Sequence, residues 1–189
     1  MQVPKAELRQ SILTAAQNEF LRHGFKKASM RSIAHLAGVT TGNIYSYFPS
    51  KEALYLQIVA PVIDRIHQML QVNVLSEGVD NTLQFIFDQL LALFRQNRQA
   101  FLILLTKSDG APYADILQQL KENSMVIIRD TIFPHIGAEL RDPLLARAWS
   151  SAIIEGLLTL FLYNDNDQQL PRRLDQFLRQ MLPKEALLP

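Results

Sequence analysis

Between Thr40 and Lys51 the chain sets short hydrogen-bonding side chains, a glycine, two tyrosines and a lysine at close intervals: Thr40-Thr41-Gly42-Asn43-Ile44-Tyr45-Ser46-Tyr47-Phe48-Pro49-Ser50-Lys51. Small hydroxyl and amide groups donate to phosphate oxygens or read base edges, and a glycine lets a backbone approach a duplex closely. Phenol groups such as those of Tyr45 and Tyr47 bond phosphate or lay their rings on thymine methyls. Lys51 falls in the first turn of a helix, where the dipole disfavours a cation, and so implies an anion close by. Ser29, at the start of an earlier helix, offers a second seat for a phosphate. The candidate surface for double-stranded DNA is therefore Ser29, Thr40, Thr41, Gly42, Asn43, Tyr45, Tyr47 and Lys51. Taken singly, Ser29 and Thr41 equally serve as plain helix caps, and Lys51 as a solvated cation. Taken together, core packing alone does not demand two exposed tyrosines, a glycine and a lysine at these intervals.

The elements that position these groups follow from apolar spacing. Leu8, Ile12, Ala16 and Phe20 make one stripe of a first helix, about residues 5–23, which Gly24 is suited to end. Ser29 caps a short second helix, 30–37, closed by Gly38. Thr40 or Thr41 caps a third, 41–47, with Ile44 and Phe48 buried, and Pro49-Ser50 breaks the chain before a long fourth helix in which Pro61 predicts a kink. Ala34 is small where the second and third helices cross, Gly38 makes the tight turn, and Val39 and Ile44 anchor the third helix. This is the pattern of a helix-turn-helix, whose last helix presents its first turn to the major groove.

Ile33-Ala34, Ala37-Gly38-Val39, Tyr45-x-Tyr47-Phe48 and Ser50-Lys51-Glu52-x-Leu54 together resemble the signature of the tetracycline repressor (TetR) family, over about Ile12 to Ile58. The resemblance implies an all-α protein. A three-helix DNA-binding domain over residues 1–50 would be followed by a helical ligand-binding and dimerisation domain over 51–189. It implies a homodimeric repressor on a palindromic operator, released by a small-molecule effector that shifts the population of conformations.

Bulk properties agree with that expectation. The 189 residues, 48% apolar and 20% charged, suffice for a real core and exclude intrinsic disorder. The net charge is only +1, but residues 1–55 hold seven basic and three acidic side chains, a net +4, leaving −3 for the rest. A basic head on a mildly acidic body suits attraction of a polyanion at one end. The absence of cysteine excludes disulfides, thiolate zinc sites and thiol catalysis. His23, His35, His67 and His135 are scattered, no phosphate loop or nucleophile elbow occurs, and Asp165 and Asp167 sit in a loop-like Asn164-Asp165-Asn166-Asp167. The expectation is no enzyme, no cofactor and no metal. Asp88 and Glu155 interrupt the two longest apolar stretches and the N-terminus is polar, so the sequence predicts no membrane span and a cytoplasmic location.

Further helices are expected near 80–97, 98–107, 112–133, 142–163 and 168–181. Ala148, Ala152 and Gly156, spaced by four and flanked by Leu160, form a small-residue stripe that admits a close helix, either a twin across a dimer interface or a neighbour within the chain. Apolar residues of the middle helices can line a pocket. His67, Phe101, Tyr113, Met125, Arg129 and Trp149 are the candidates to hold a ligand there, although core packing accounts for such residues as well.

Overall fold

The computed structural model describes residues 5–70, 79–136 and 142–181, and among them all regular secondary structure is helical. Helix α1 (Lys5–Lys27) buries Ile12, Ala15, Ala16 and Phe20 on one side. It bends at Gly24, whose φ of 72° is in the left-handed region open to glycine. The first helical run stops there, as the glycine suggests, and Ala28 N–H bonding Gly24 O at 3.0 Å closes one further turn after the break. Helix α2 (Met30–Ala37) starts at Ser29 and ends at Gly38 (φ 69°). Helix α3 (Thr41–Tyr45) is shorter than expected, but Tyr47 and Phe48 N–H groups both still bond Ile44 O at 2.9 Å. Helix α4 (Lys51–Leu70) begins where Ser50 Oγ accepts from Ala53 N–H, and it is continuous through Pro61.

Helix α5 (Val79–Thr106) contains one non-helical residue, Asn97 (φ −130°, ψ 34°), at the junction the sequence places between 80–97 and 98–107. After it, Tyr113 takes a left-handed φ of 61° and delays helix α6 (Ile116–Ile127) by four residues relative to expectation. A π-helical turn over Ile128–Ile132 then leads into a short helix α7 (Phe133–Ile136). Pro134 lacks an N–H and its ring would crowd the carbonyl of Asp130, so the wide turn upstream lets the chain stay helical past it. Helix α8 (Pro143–Leu162) is capped by Asp142, whose Oδ1 accepts from Leu144 N–H at 2.7 Å, and helix α9 (Leu170–Met181) follows.

The chain packs as two units. The first joins residues up to Arg65 with Asn97–Ala114. Its core holds Ile12, Phe20, Phe25, Ile33, Ile44, Phe48, Leu54 and Tyr55, with Phe20 and Tyr55 edge to face at 5.7 Å and Phe25 and Tyr55 at 5.1 Å. The packing of the head thus continues beyond residue 50. The Pro49-Ser50 break is a local backbone event, whereas Leu54, Tyr55, Ile58 and Val59 one and two turns later are still buried, and the Tyr55 ring meets Phe20 and Phe25 of α1.

The second unit joins Ile66–Gln96 with the residues from Asp115 onward. Here Ile128, Ile132, Phe133 and Ala146 form a buried cluster on which Met125, Trp149 and Ile153 pack, with Phe133 and Trp149 edge to face at 5.4 Å. Phe94 and Phe161 are in ring contact at 4.7 Å. The small-residue stripe of α8 divides. A Cβ at Gly156 would fall inside the ring of Phe177 from α9, so Gly156 serves a crossing within the chain, while Ala148 and Ala152 are exposed and Leu160 is half-buried. Gly156→Ala is therefore expected to displace Phe177 and cost the second unit about 1–3 kcal/mol, read as a lower midpoint in urea unfolding.

Helix α8 has a mean hydropathy of 1.4 over its apolar window. Glu155 interrupts the run but does not lower the average below that of a membrane-crossing helix, a composition that equally suits a helix packed on another apolar surface.

Candidate nucleic-acid interface

The side chains proposed to read DNA sit on a short helix held from below. Ile44 is fully buried and Phe48 nearly so, and these two residues fix α3 to the core. The opposite side carries Gly42, Asn43 and Tyr45, all exposed, with Thr41 and Tyr47 half-buried. Tyr45 keeps half of its surface in solvent, unusual for so large an apolar ring on a small head. A Cβ at Gly42 would meet only Thr40 Oγ1 at 3.9 Å, so the fold itself does not require glycine there. Thr40 is the cap of α3, its Oγ1 accepting from Asn43 N–H at 3.2 Å, which settles the choice between Thr40 and Thr41. Its hydroxyl proton stays available, because capping uses only a lone pair.

Ser29 caps α2 as its sequence position suggests, and both it and Lys51 have further partners that the sequence did not disclose. Ser29 Oγ accepts from Ser32 N–H at 3.1 Å. Its own N–H donates to Glu19 Oε1 at 3.3 Å, and Ser32 Oγ donates to Glu19 Oε2 at 2.8 Å. Glu19 is only 5% exposed, so one of the three acids of the head lies inside it, placed at the start of α2 where the helix dipole favours a negative charge. That carboxylate occupies part of the seat assigned to a phosphate. Lys51 Nζ donates to Phe25 O at 2.8 Å and Ala28 O at 3.1 Å and lies 4.5 Å from the centre of the Phe25 ring. Carbonyl dipoles at the end of α1 thus take two of the three ammonium donors, and one remains. Partners 23 and 26 residues away leave no local signature, which is why spacing alone did not find them.

Phe25 is the centre of this arrangement. Its N–H donates to Lys107 O at 2.8 Å, its carbonyl accepts from Lys51, and its ring meets Phe20, Tyr55 and the lysine cation. Tyr55 Oη is buried beside these rings and has no well-formed hydrogen bond among the described residues. Burial pushes the phenol up to about 12, against a smaller opposing influence of the nearby Ser108. An unfolded tyrosine titrates near 10, so the neutral phenol favours the fold fully below that pH, and this contribution is lost as the pH rises from about 10 to about 12. Tyr55→Phe should flatten the fall in thermal midpoint across this window. An unchanged alkaline fall would assign it to other groups.

The six ligand candidates divide between the two units. Phe101 is buried and Tyr113 exposed in the first unit, and the other four belong to the second. Met125 and Trp149 meet on the Phe133 cluster, His67 is exposed, and Arg129 donates through Nε and Nη2 to Asp130 at 2.7 and 2.8 Å. Asp165 pairs with Arg173 at 2.6 Å, as suits a loop brace.

Residues 12–58 match the family described as bacterial regulatory proteins, tetR family. The head of the chain is thus similar to the tetR family. The HTH-type transcriptional regulator RutR of Escherichia coli (strain K12) is 43% identical over 56 residues, covering 30% of this chain and 26% of RutR. UidR of the same strain, also described as an HTH-type transcriptional regulator, is 27% identical over 128 residues, 67% of this chain and 64% of UidR. The aligned part thus spans about a quarter of RutR and under two thirds of UidR. Two solved structures share its helical fold. A gamma-butyrolactone receptor (ArpA like protein) aligns with TM-score 0.64 at 19% identity, over 96% of this chain and 95% of its own. The TetR family transcriptional regulator PfmR from Thermus thermophilus aligns with TM-score 0.64 at 17% identity, over 90% of this chain and 96% of its own. The likeness to the tetR family is therefore one of sequence over residues 12–58, and the likeness of the remainder to these structures is one of fold.

Proposed function

We propose that this chain is a cytoplasmic, ligand-responsive transcriptional repressor that binds a palindromic operator as a homodimer and is released by a small-molecule inducer. The observation that carries the reading is the two-sided character of α3. Ile44 and Phe48 lock it to the core, while Asn43 and Tyr45 stand in solvent with Thr41 and Tyr47 at their edges. A rigid rod with polar groups on its free side is what a major groove accepts. RutR, UidR and PfmR are regulators by their descriptions, which agrees with the absence of a catalytic constellation in the sequence.

A homodimer is supported by α8. Only 17% of its apolar window is buried within the chain. Leu145, Ala148, Ala152, Glu155, Thr159 and Leu162 are all exposed and recur at intervals of three and four, so they share one face of the helix. A second copy of α8 fits such a face. Gly156, committed to Phe177, lies outside it. The inducer's seat is proposed in the second unit near Met125 and Trp149, where an apolar cluster adjoins the π-helical turn. An inducer that prefers one conformation of the body lowers DNA affinity by the same factor as DNA lowers inducer affinity.

Selection of bound duplexes from a random pool tests the reading. The expected product is an inverted repeat with half-sites about 34–36 Å apart or a multiple of it. No enrichment, together with no retardation of any duplex at low salt, would refute it.

A further inference from the structure

Arg9 is a basic residue of the head that the sequence pattern does not single out. It lies in the second turn of α1, half-buried, with its guanidinium carbon 5.3 Å from the centre of the Phe48 ring. Phe48 closes the segment that begins with α3, and Tyr47 beside it belongs to the candidate contact surface. Among the described residues Arg9 has no acidic partner, and the contact with Phe48 is the interaction it makes. Lys5, exposed and one turn earlier on the same face of α1, extends the positive charge. The contrast with Lys51 is direct: that ammonium spends two of its three donors on carbonyls within the chain, and Lys26 faces Asp109 at 3.5 Å.

We propose that Arg9 is a phosphate-binding residue of the DNA interface, held by the Phe48 ring beside the end of α3 so that it grips the duplex backbone flanking the groove that α3 enters. The inference rests on the reading of the head as DNA-binding and adds to it a contact from α1. An aromatic face restrains the long side chain without consuming its hydrogen-bond donors, and a planar guanidinium offers a phosphate two donors at once. Restraint before binding removes part of the ordering cost that a free surface lysine bears. A contact of this kind carries no sequence information. It sets affinity and orientation, and α3 sets preference.

The test uses the full-length protein and a random-sequence duplex of about three helical turns, titrated at several salt concentrations, so that no operator need be known. Arg9→Met keeps apolar packing on Phe48 and removes the charge, Arg9→Gln keeps a polar group and removes it, and Arg9→Lys keeps the charge. Both neutral variants should bind roughly threefold to tenfold more weakly, with the slope of log affinity against log salt reduced by about 0.9 per bound head. Arg9→Lys should retain the slope. All three should unfold within about 2 °C of the parent, as expected for a cation without a buried partner. Neutral variants that bind with the parental slope overturn the proposal, and so does unfolding of both neutral variants, which would make Arg9 a structural cation. If the parent itself binds no duplex at low salt, the DNA-binding reading fails instead.

Discussion

Lys51→Met is expected to loosen the head by about 2–3 kcal/mol, the sum of two charge-assisted hydrogen bonds and a cation–π contact, discounted for partial exposure. The lost donors leave Phe25 O and Ala28 O without their partner at the end of α1, where the helix dipole already concentrates negative charge. The unfolding midpoint should fall by several degrees, and DNA affinity should fall in step with the folded fraction at the assay temperature. The variant separates two roles for Lys51. A brace lowers the midpoint and leaves the salt slope of the folded protein near that of the parent. A direct phosphate contact lowers the slope by about 0.9 per head and leaves the midpoint alone. The hydrogen bonds to the α1 carbonyls favour the brace, and a changed slope at an unchanged midpoint would contradict it.

The second large effect is expected from α3. Asn43→Ala and Tyr45→Ala combined should weaken binding to a selected operator by about a hundredfold or more, since each base contact is worth about 1–3 kcal/mol. Binding to random duplexes should change little. Both residues are exposed and Ile44 between them keeps its burial, so the stability should change by less than about 0.5 kcal/mol. The Thr40 cap survives the substitution, because its donor is the backbone N–H of residue 43, which alanine retains. A loss shared equally by operator and random duplexes would show that these side chains touch only the backbone of the DNA. Unchanged affinity for the operator would remove α3 from the interface.

The two outcomes rest on a division of labour within the head. Glu19 and Lys51, one acid and one base, are drawn inward to tie the ends of α1 and α2, and their charges are answered within the chain. Asn43, Tyr45 and Arg9 are left without such ties. Residues of the first group act on the shape of the head, and those of the second act on what it touches.

The sequence alone determined the helix-turn-helix, because each of its parts is encoded within a few residues. Ser29 and Gly38 bound α2, Thr40 caps α3, and Ile33, Ala34, Ile44 and Phe48 repeat at helical spacing toward one core. It also located the Asn97 break and the start of α8 to within a residue, since caps and helix ends are local events. Only the tertiary structure decided which polar groups are free. Lys51 and Ser29 were legible as donors, but their partners come from residues 10 to 26 positions away and no periodicity announces them. The same holds for Gly156, whose neighbour Phe177 lies on another helix, and for the edge of the head, which runs past the Pro49-Ser50 break into α4 and residues 97–114. Local chemistry fixes where helices begin and end. The partners of their side chains follow from how those helices pack.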